Sequence, residues 1–244
     1  MRIKDIFITI GSAIRRKEKR ELIRLSCNFR SQKGLEIGGP SSSFSLYGHF
    51  PVYLFAKQID GVNYSNKTVW EGTIKEGNTY KYHNKTGHQY IKEAADLSGI
   101  ASNSFDFVLS CHSLEHVANP LKALKEWRRV LKENGHLILV LPNRDFSYDI
   151  KRPYTSMQHL ITDFEKNVTE EDTTHFEEVI ATIDDNDPIR ESAIKLIRNN
   201  YEQRCVHHHV FDFKLITEML EWVGFTVKKQ STAKVHLFTL AQKK

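Results

Sequence analysis

Apolar residues in this chain gather either into short unbroken runs or into stripes spaced three and four apart. Residues 105–110, FDFVLS, and 136–141, HLILVL, are runs of the first kind, as expected of parallel strands covered on both faces. Between them Leu121, Leu124, Trp127, Val130 and Leu131 recur at helical spacing and define one apolar face. Asn119 is placed to cap that helix, Pro120 to occupy its first position, and Asn134-Gly135 to end it. Strand, helix, glycine stop and strand make a βαβ unit.

Upstream, residues 34–37 read as a short buried strand entering a tight turn of Gly38, Gly39, Pro40 and three serines. Glycine there lets the main chain bend and lets a ligand approach it closely. The same cluster also reads as an ordinary loop. Residues 58–65 form the next predicted strand, ending in polar side chains. Before it, Pro51 breaks a mixed stretch that leaves either a short helix or an extended segment. Residues 66–90, rich in Lys, Gly, Asn, Thr and Tyr, predict an exposed connection with a hairpin rather than a helix. Residues 1–30 predict one or two helices, with Ile14, Leu22, Ile23 and Leu25 as an apolar stripe. At the other end, residues 211–223 predict an amphipathic helix stopped by Gly224, followed by strands over 225–227 and 235–240.

Residues 144–210 break this rhythm. Helical spacing recurs near 156–166, 174–183 and 188–204, and histidines are dense: His159, His175 and the triplet His207-His208-His209. We read the segment as a mainly helical insertion that forms a lid and substrate pocket. The histidines are read either as polar packing or as substrate, base or metal groups.

Composition narrows the function classes. The 244 residues carry 35 basic and 30 acidic side chains, a net charge of +5, mostly scattered. The one dense basic cluster, Arg15, Arg16, Lys17, Lys19 and Arg20, reads first as a solvated helix face and second as a polyanion contact. No basic stripe with interleaved aromatics appears, so a nucleic-acid partner is not expected. Three scattered cysteines, Cys27, Cys111 and Cys205, with no CxxC pair, argue for a reducing, cytoplasmic setting and against a cysteine-based zinc site. No run is long and apolar enough to span a membrane.

Five ordered segments resemble the class I S-adenosylmethionine-dependent methyltransferases, in the type 11 style. They are Glu36-x-Gly38; Glu93-Ala94-Ala95-Asp96-Leu97; Phe105-Asp106-Phe107-Val108; Leu114-Glu115-His116-Val117 with the Pro-led helix carrying Glu126, Arg128 and Arg129; and Gly135 with the apolar run to Pro142. The resemblance spans residues 33–143. It implies a Rossmann-like doubly wound α/β sheet, mostly parallel with an antiparallel C-terminal strand. The expected organisation is an N-terminal helical segment (1–30), a core from 31–143 and 211–244, and the insertion at 144–210.

By the same resemblance the cofactor is S-adenosylmethionine, with S-adenosylhomocysteine as product. Gly38, Gly39, Pro40 and Ser41 would hold its carboxylate end, and Glu36 would orient the methionine. Glu93, Ala94 and Asp96 would meet the adenine. Asn63 stands where this kind of fold usually places a ribose-binding acid, and its amide carbonyl can accept one such hydrogen bond. Ser110, Cys111 and His112 would leave their strand beside the methyl group. His112, or a lid histidine such as His175 or His208, is the candidate general base. Arg144, Arg152, His159 and His207 are candidate substrate contacts, with no metal assigned. The lid, rich in Arg, His and Tyr, suits a small polar or sugar-like acceptor and resembles methyltransferases of surface polysaccharides.

Two rival readings stay open. His112-Ser113-Leu114-Glu115-His116 matches the HxxEH pattern of inverted zinc peptidases, although it directly follows a buried strand and the short run before Asn119-Pro120 leaves room for about one helical turn. A methyltransferase-like fold that has lost catalysis and serves as a scaffold is the other.

Overall fold

The computed structural model describes residues 17–244. The predicted N-terminal helical segment lies partly outside that range, as do Ile14, Arg15 and Arg16. Helix α1 (Lys17–Cys27) is its described part.

Eight strands form one sheet. In chain order they are β1 (Lys33–Ile37), β2 (Gln58–Asn63), β5 (Gly77–Tyr82), β6 (Lys85–Ile91), β7 (Phe105–Cys111), β8 (Leu131–Pro142), β9 (Phe225–Ala233) and β10 (His236–Lys243). The spatial order is β5-β6-β2-β1-β7-β8-β10-β9. A separate ribbon of β3 (Lys67–Thr68) and β4 (Gly72–Thr73) sits in the predicted exposed connection. Strands β6, β2, β1, β7 and β8 run parallel, and β10 closes the sheet antiparallel to β8. At the opposite edge β5 pairs antiparallel with β6 as a hairpin. The sheet is therefore Rossmann-like and mostly parallel, as the family resemblance implies, with one antiparallel strand more than expected.

Both faces are covered, which explains the unbroken apolar runs. Helix α2 (Pro120–Val130) lies on one face with α7 (Phe213–Trp222), burying Leu121, Leu124, Trp127, Ile216 and Leu220 against Leu35, Val108 and Leu139. The Asn119 side chain caps α2 by accepting from the Lys122 N–H at 3.1 Å. One boundary moves: α2 ends at Val130, and Asn134, with φ +61°, turns the chain inside β8 instead of ending the helix. On the other face Phe107, Leu109, Ile138 and Val140 pack against Leu22 of α1 and Phe29, Phe44, Phe50 and Tyr53. No α-helix joins β1 to β2. Two 3-10 turns, Ser42–Phe44 and Val52–Leu54, do so and bring the aromatic side chains that a helix would have supplied.

Between β8 and α7 the chain builds short helices: α3 (Met157–Glu165), α4 (Phe176–Ile180), α5 (Arg190–Arg198) and α6 (Asn200–Gln203). Phe176, Val179, Ile180, Ile197 and Val206 give them a small core of their own. Among the described residues no helix is long and apolar enough to cross a membrane. Cys27, Cys111 and Cys205 are all free thiols.

Candidate functional site

The C-terminal ends of the parallel strands meet at one edge of the sheet. Strand order reverses there, with β2 and β7 on opposite sides of β1. Such a switch point opens a crevice. The crevice is a cleft of about 370 Å³. Its near wall comes from the strand ends: Ile37 and Gly38 after β1, Asn63 and Tyr64 after β2, Glu93 and Ala94 after β6. His112, Ser113, Glu115 and His116 follow β7, while Tyr148, Glu170, Arg204 and His207 come from the connection after β8.

The turn after β1 is held from behind. Glu36 is wholly buried and does not line the cleft. Its carboxylate accepts from the Tyr53 and Tyr80 hydroxyls, each at 2.6 Å, and from the Ser41 N–H at 2.9 Å. Burial outweighs these donors and pushes its pKa up to about 7. Glu36 therefore braces the loop from below. Gly39 leaves no room for a side chain, since a Cβ would fall 2.3 Å from the Glu36 carboxyl. Gly38 has φ +73°, and a Cβ there would fall 2.2 Å from Ser113 Oγ, so bare main chain faces the cleft. Pro40 and Ser41 do not line it, and Ser41 instead accepts from the Ser43 N–H. The Asn63 amide donates to the Gly39 carbonyl at 3.1 Å.

The segment after β6 is fixed by α2. The Trp127 indole N–H donates to the Ala94 carbonyl at 2.9 Å, and Glu126 accepts from the Leu97 N–H. Arg129 donates to the carbonyls of Leu97 and Ile100. Asp96 points away from the cleft into a shallow outer depression. Glu93 lines the cleft and pairs with Arg204 at 2.8 Å. Asp106 accepts from the Lys33 N–H at 2.8 Å and so sets the start of β1.

The far wall is rich in titratable groups. His112, at φ +51°, places Nε2 2.9 Å from His236 Nδ1, and burial pulls its pKa down to about 4. Glu115 is wholly buried with neither oxygen accepting a hydrogen bond, and burial pushes it up to about 8. His116 Nδ1 lies 3.1 Å from the Val206 carbonyl, and His207 Nδ1 lies 2.5 Å from Asp149 Oδ2. Arg152 holds Asp149 from the other side at 2.7 Å.

The site expected from the sequence contracts accordingly. Gly38, Asn63, Glu93, Ala94, His112 and His207 are brought together. Ser110 and Cys111 are buried below the cleft, where burial pushes the Cys111 thiol up to about 11. Arg152 is buried against Asp149, and Arg144 stacks 3.9 Å over the Tyr154 ring, outside the lining. His159, His175, His208 and His209 form a second cluster behind the wall. There His159 Nε2 meets His175 Nε2 at 3.1 Å, and His208 Nε2 meets the Asn200 amide at 3.2 Å. His175 and His208 are thus too far inside to reach a ligand in the cleft, because their ring nitrogens serve the packing of the insertion.

The zinc-peptidase pattern loses its geometry. Leu114–His116 is a single 3-10 turn, and His112 pairs with His236 rather than with His116. The lining residues Tyr64, Trp70, Tyr148, Glu170 and Arg204 had no spacing pattern to mark them. Glu115 and His116 stood inside the LEHV segment but were read only as part of a motif.

Residues 35–139 match the sequence profile of a methyltransferase domain. An uncharacterised protein of Methanocaldococcus jannaschii is 58% identical over 43 residues, which span 18% of this chain and 19% of that protein. The chain also superposes on solved structures. With a candidate S-adenosylmethionine-dependent methyltransferase from Listeria monocytogenes the TM-score is 0.52 at 14% identity, covering 93% of this chain and 98% of that one. With an S-adenosylmethionine-dependent methyltransferase from Mesorhizobium loti it is 0.52 at 12% identity, covering 91% and 96%. The bare cradle at Gly38, which any Cβ would fill, and the adjacent Glu93 and Ala94 fit S-adenosylmethionine. Residues 35–139 thus carry the profile of a methyltransferase domain, and the sheet order and the bare cradle fit that family, whose cofactor is S-adenosylmethionine.

Proposed function

We propose that this chain transfers the methyl group of S-adenosylmethionine to a hydroxyl of a small polar or sugar-like acceptor, such as a precursor of a surface polysaccharide. The observation that carries the reading is the shared cleft. Bare main chain at Gly38 and the Glu93-Ala94 segment form one wall, and a histidine-rich wall faces it. When bound, the sulfonium supplies an activated methyl group. Gly38 and its neighbours would receive the methionine end, Asn63 Oδ1 the ribose, and Glu93 with the Ala94 N–H the adenine. His112 is neutral through the physiological range and stands at the end of β7, where it would take the hydroxyl proton. The remaining catalysis is alignment of the acceptor oxygen with the methyl carbon. A lining of His, Tyr and Arg side chains, without a basic stripe, favours a small acceptor over nucleic acid.

The scaffold reading has one observation in its favour: Glu93 is already paired with Arg204. Calorimetry with S-adenosylmethionine, followed by a labelled-methyl transfer assay over a panel of sugars and phenols, tests both. Heat with turnover supports the enzyme. No heat at millimolar cofactor supports the scaffold and ends this proposal.

A further inference from the structure

We propose that Glu115, His116 and His207 form a divalent metal site at the acceptor end of the cleft. The three offer ligand atoms within 4.8 Å of one another, and all three line the cleft. Closing them onto an ion, with bonds of about 2.1 Å, asks shifts of about an ångström, within reach of side-chain rotation.

Three features point to a cation rather than to chance packing. Glu115 is wholly buried, yet neither of its oxygens accepts a hydrogen bond. A buried polar group without a partner is costly, and a cation would supply the partner that both oxygens lack. The nearest basic group, His112 Nδ1, lies 3.8 Å away, beyond hydrogen-bond reach. Second, both histidines are oriented as ligands are. His116 Nδ1 faces the Val206 carbonyl and His207 Nδ1 faces Asp149, so each ring presents its Nε2 lone pair. This is the outer-shell arrangement that fixes the tautomer of a metal-bound imidazole. Third, Arg152 anchors Asp149, so the orientation of His207 is itself braced.

Two nitrogens and one carboxylate oxygen suit zinc, manganese, iron(II) or cobalt(II). Three protein ligands on a cleft wall leave positions open towards the cleft, as catalytic rather than structural sites do. Resting on the methyltransferase reading above, the ion would hold the acceptor through its hydroxyl oxygens and make the reacting one more acidic. The hydroxyl proton then passes to His112, the new bond joins that oxygen to the methyl carbon, and the carbon–sulfur bond breaks to release S-adenosylhomocysteine. A second trio, His159, His175 and His209, is also close enough to share an ion. Its rings bond to one another and to Asp163, Glu178 and the Ala118 carbonyl, and it does not line the cleft.

The test uses the full chain, stripped with chelator and titrated with cobalt(II), read by visible absorption and by calorimetry. Wild type and His175→Ala should bind one ion at the cleft with equal affinity. Glu115→Gln and His207→Ala should each weaken it roughly 100-fold or more, and Asp149→Asn about 10-fold. Glu115→Gln keeps the shape of the side chain, so the variant should fold, and circular dichroism checks this for all four. Absence of cobalt binding overturns the site, as does unchanged affinity in both Glu115→Gln and His207→Ala, or loss confined to His175→Ala. Titration with S-adenosylmethionine separates the two proposals. Cofactor heat without cobalt binding removes only the metal site. Cobalt binding without cofactor heat removes the methyltransferase reading and leaves the site standing.

Discussion

The Arg204 guanidinium reaches Glu93 at 2.8 Å and Glu170 at 2.6 Å, tying the connection after β8 to the loop after β6. Arg204 sits at the end of α6 with φ +50° and is buried between the rings of Tyr64 and Tyr201. One side chain thus joins the loop after β6 to the insertion.

Arg204→Ala should leave Glu170 buried and unpaired, at a cost on the order of 3 kcal/mol. Urea denaturation measures this. Arg204→Lys should not restore stability, because a point charge cannot serve two carboxylates as a planar fork does. Full stability in the lysine variant would show that the fork is unnecessary.

His112→Ala should lower turnover by roughly 10²–10⁴ and spare cofactor affinity. Turnover at the wild-type rate would take His112 out of the mechanism.

Gly38→Ala should weaken S-adenosylmethionine binding by about tenfold or more. The φ of +73° alone strains an alanine by ~1–2 kcal/mol, and its Cβ would collide with Ser113. Calorimetry with a circular dichroism check reads the outcome. Unchanged affinity would mean that the cofactor does not use this turn.

Stability should depend on pH through Glu36. Its folded pKa of about 7 lies above the ordinary 4.5, so the native state binds the extra proton. The stability it contributes is full below about pH 4.5 and is lost as pH rises through 7, a change on the order of 3 kcal/mol. The difference in Tm between wild type and Glu36→Gln, followed from pH 4.5 to 8, should widen in favour of the variant as pH rises. A constant difference would contradict the assignment.

Much of the scaffold could be read along the chain because it is local. The run HLILVL, the cap at Asn119 and the stripe through Trp127 each announce an element without reference to any other. Glu36 was legible as important but not in its role. Only the approach of Tyr53 and Tyr80, from two separate segments, shows that it braces the loop. The histidines were visible as an excess, yet nothing in their spacing separates His207, on the cleft, from His175 and His208, behind it.

The sequence by itself determined that 105–110 and 136–141 become strands and that a capped helix starts at Pro120 between them. Those follow from backbone periodicity and capping. Tertiary structure alone decided that Glu115, His116 and His207 face one another, that Arg204 closes on Glu93, and that Asp96 turns outwards. The reason is physical: burial and pairing of a charge depend on partners delivered by distant segments, and only folding brings those partners within reach.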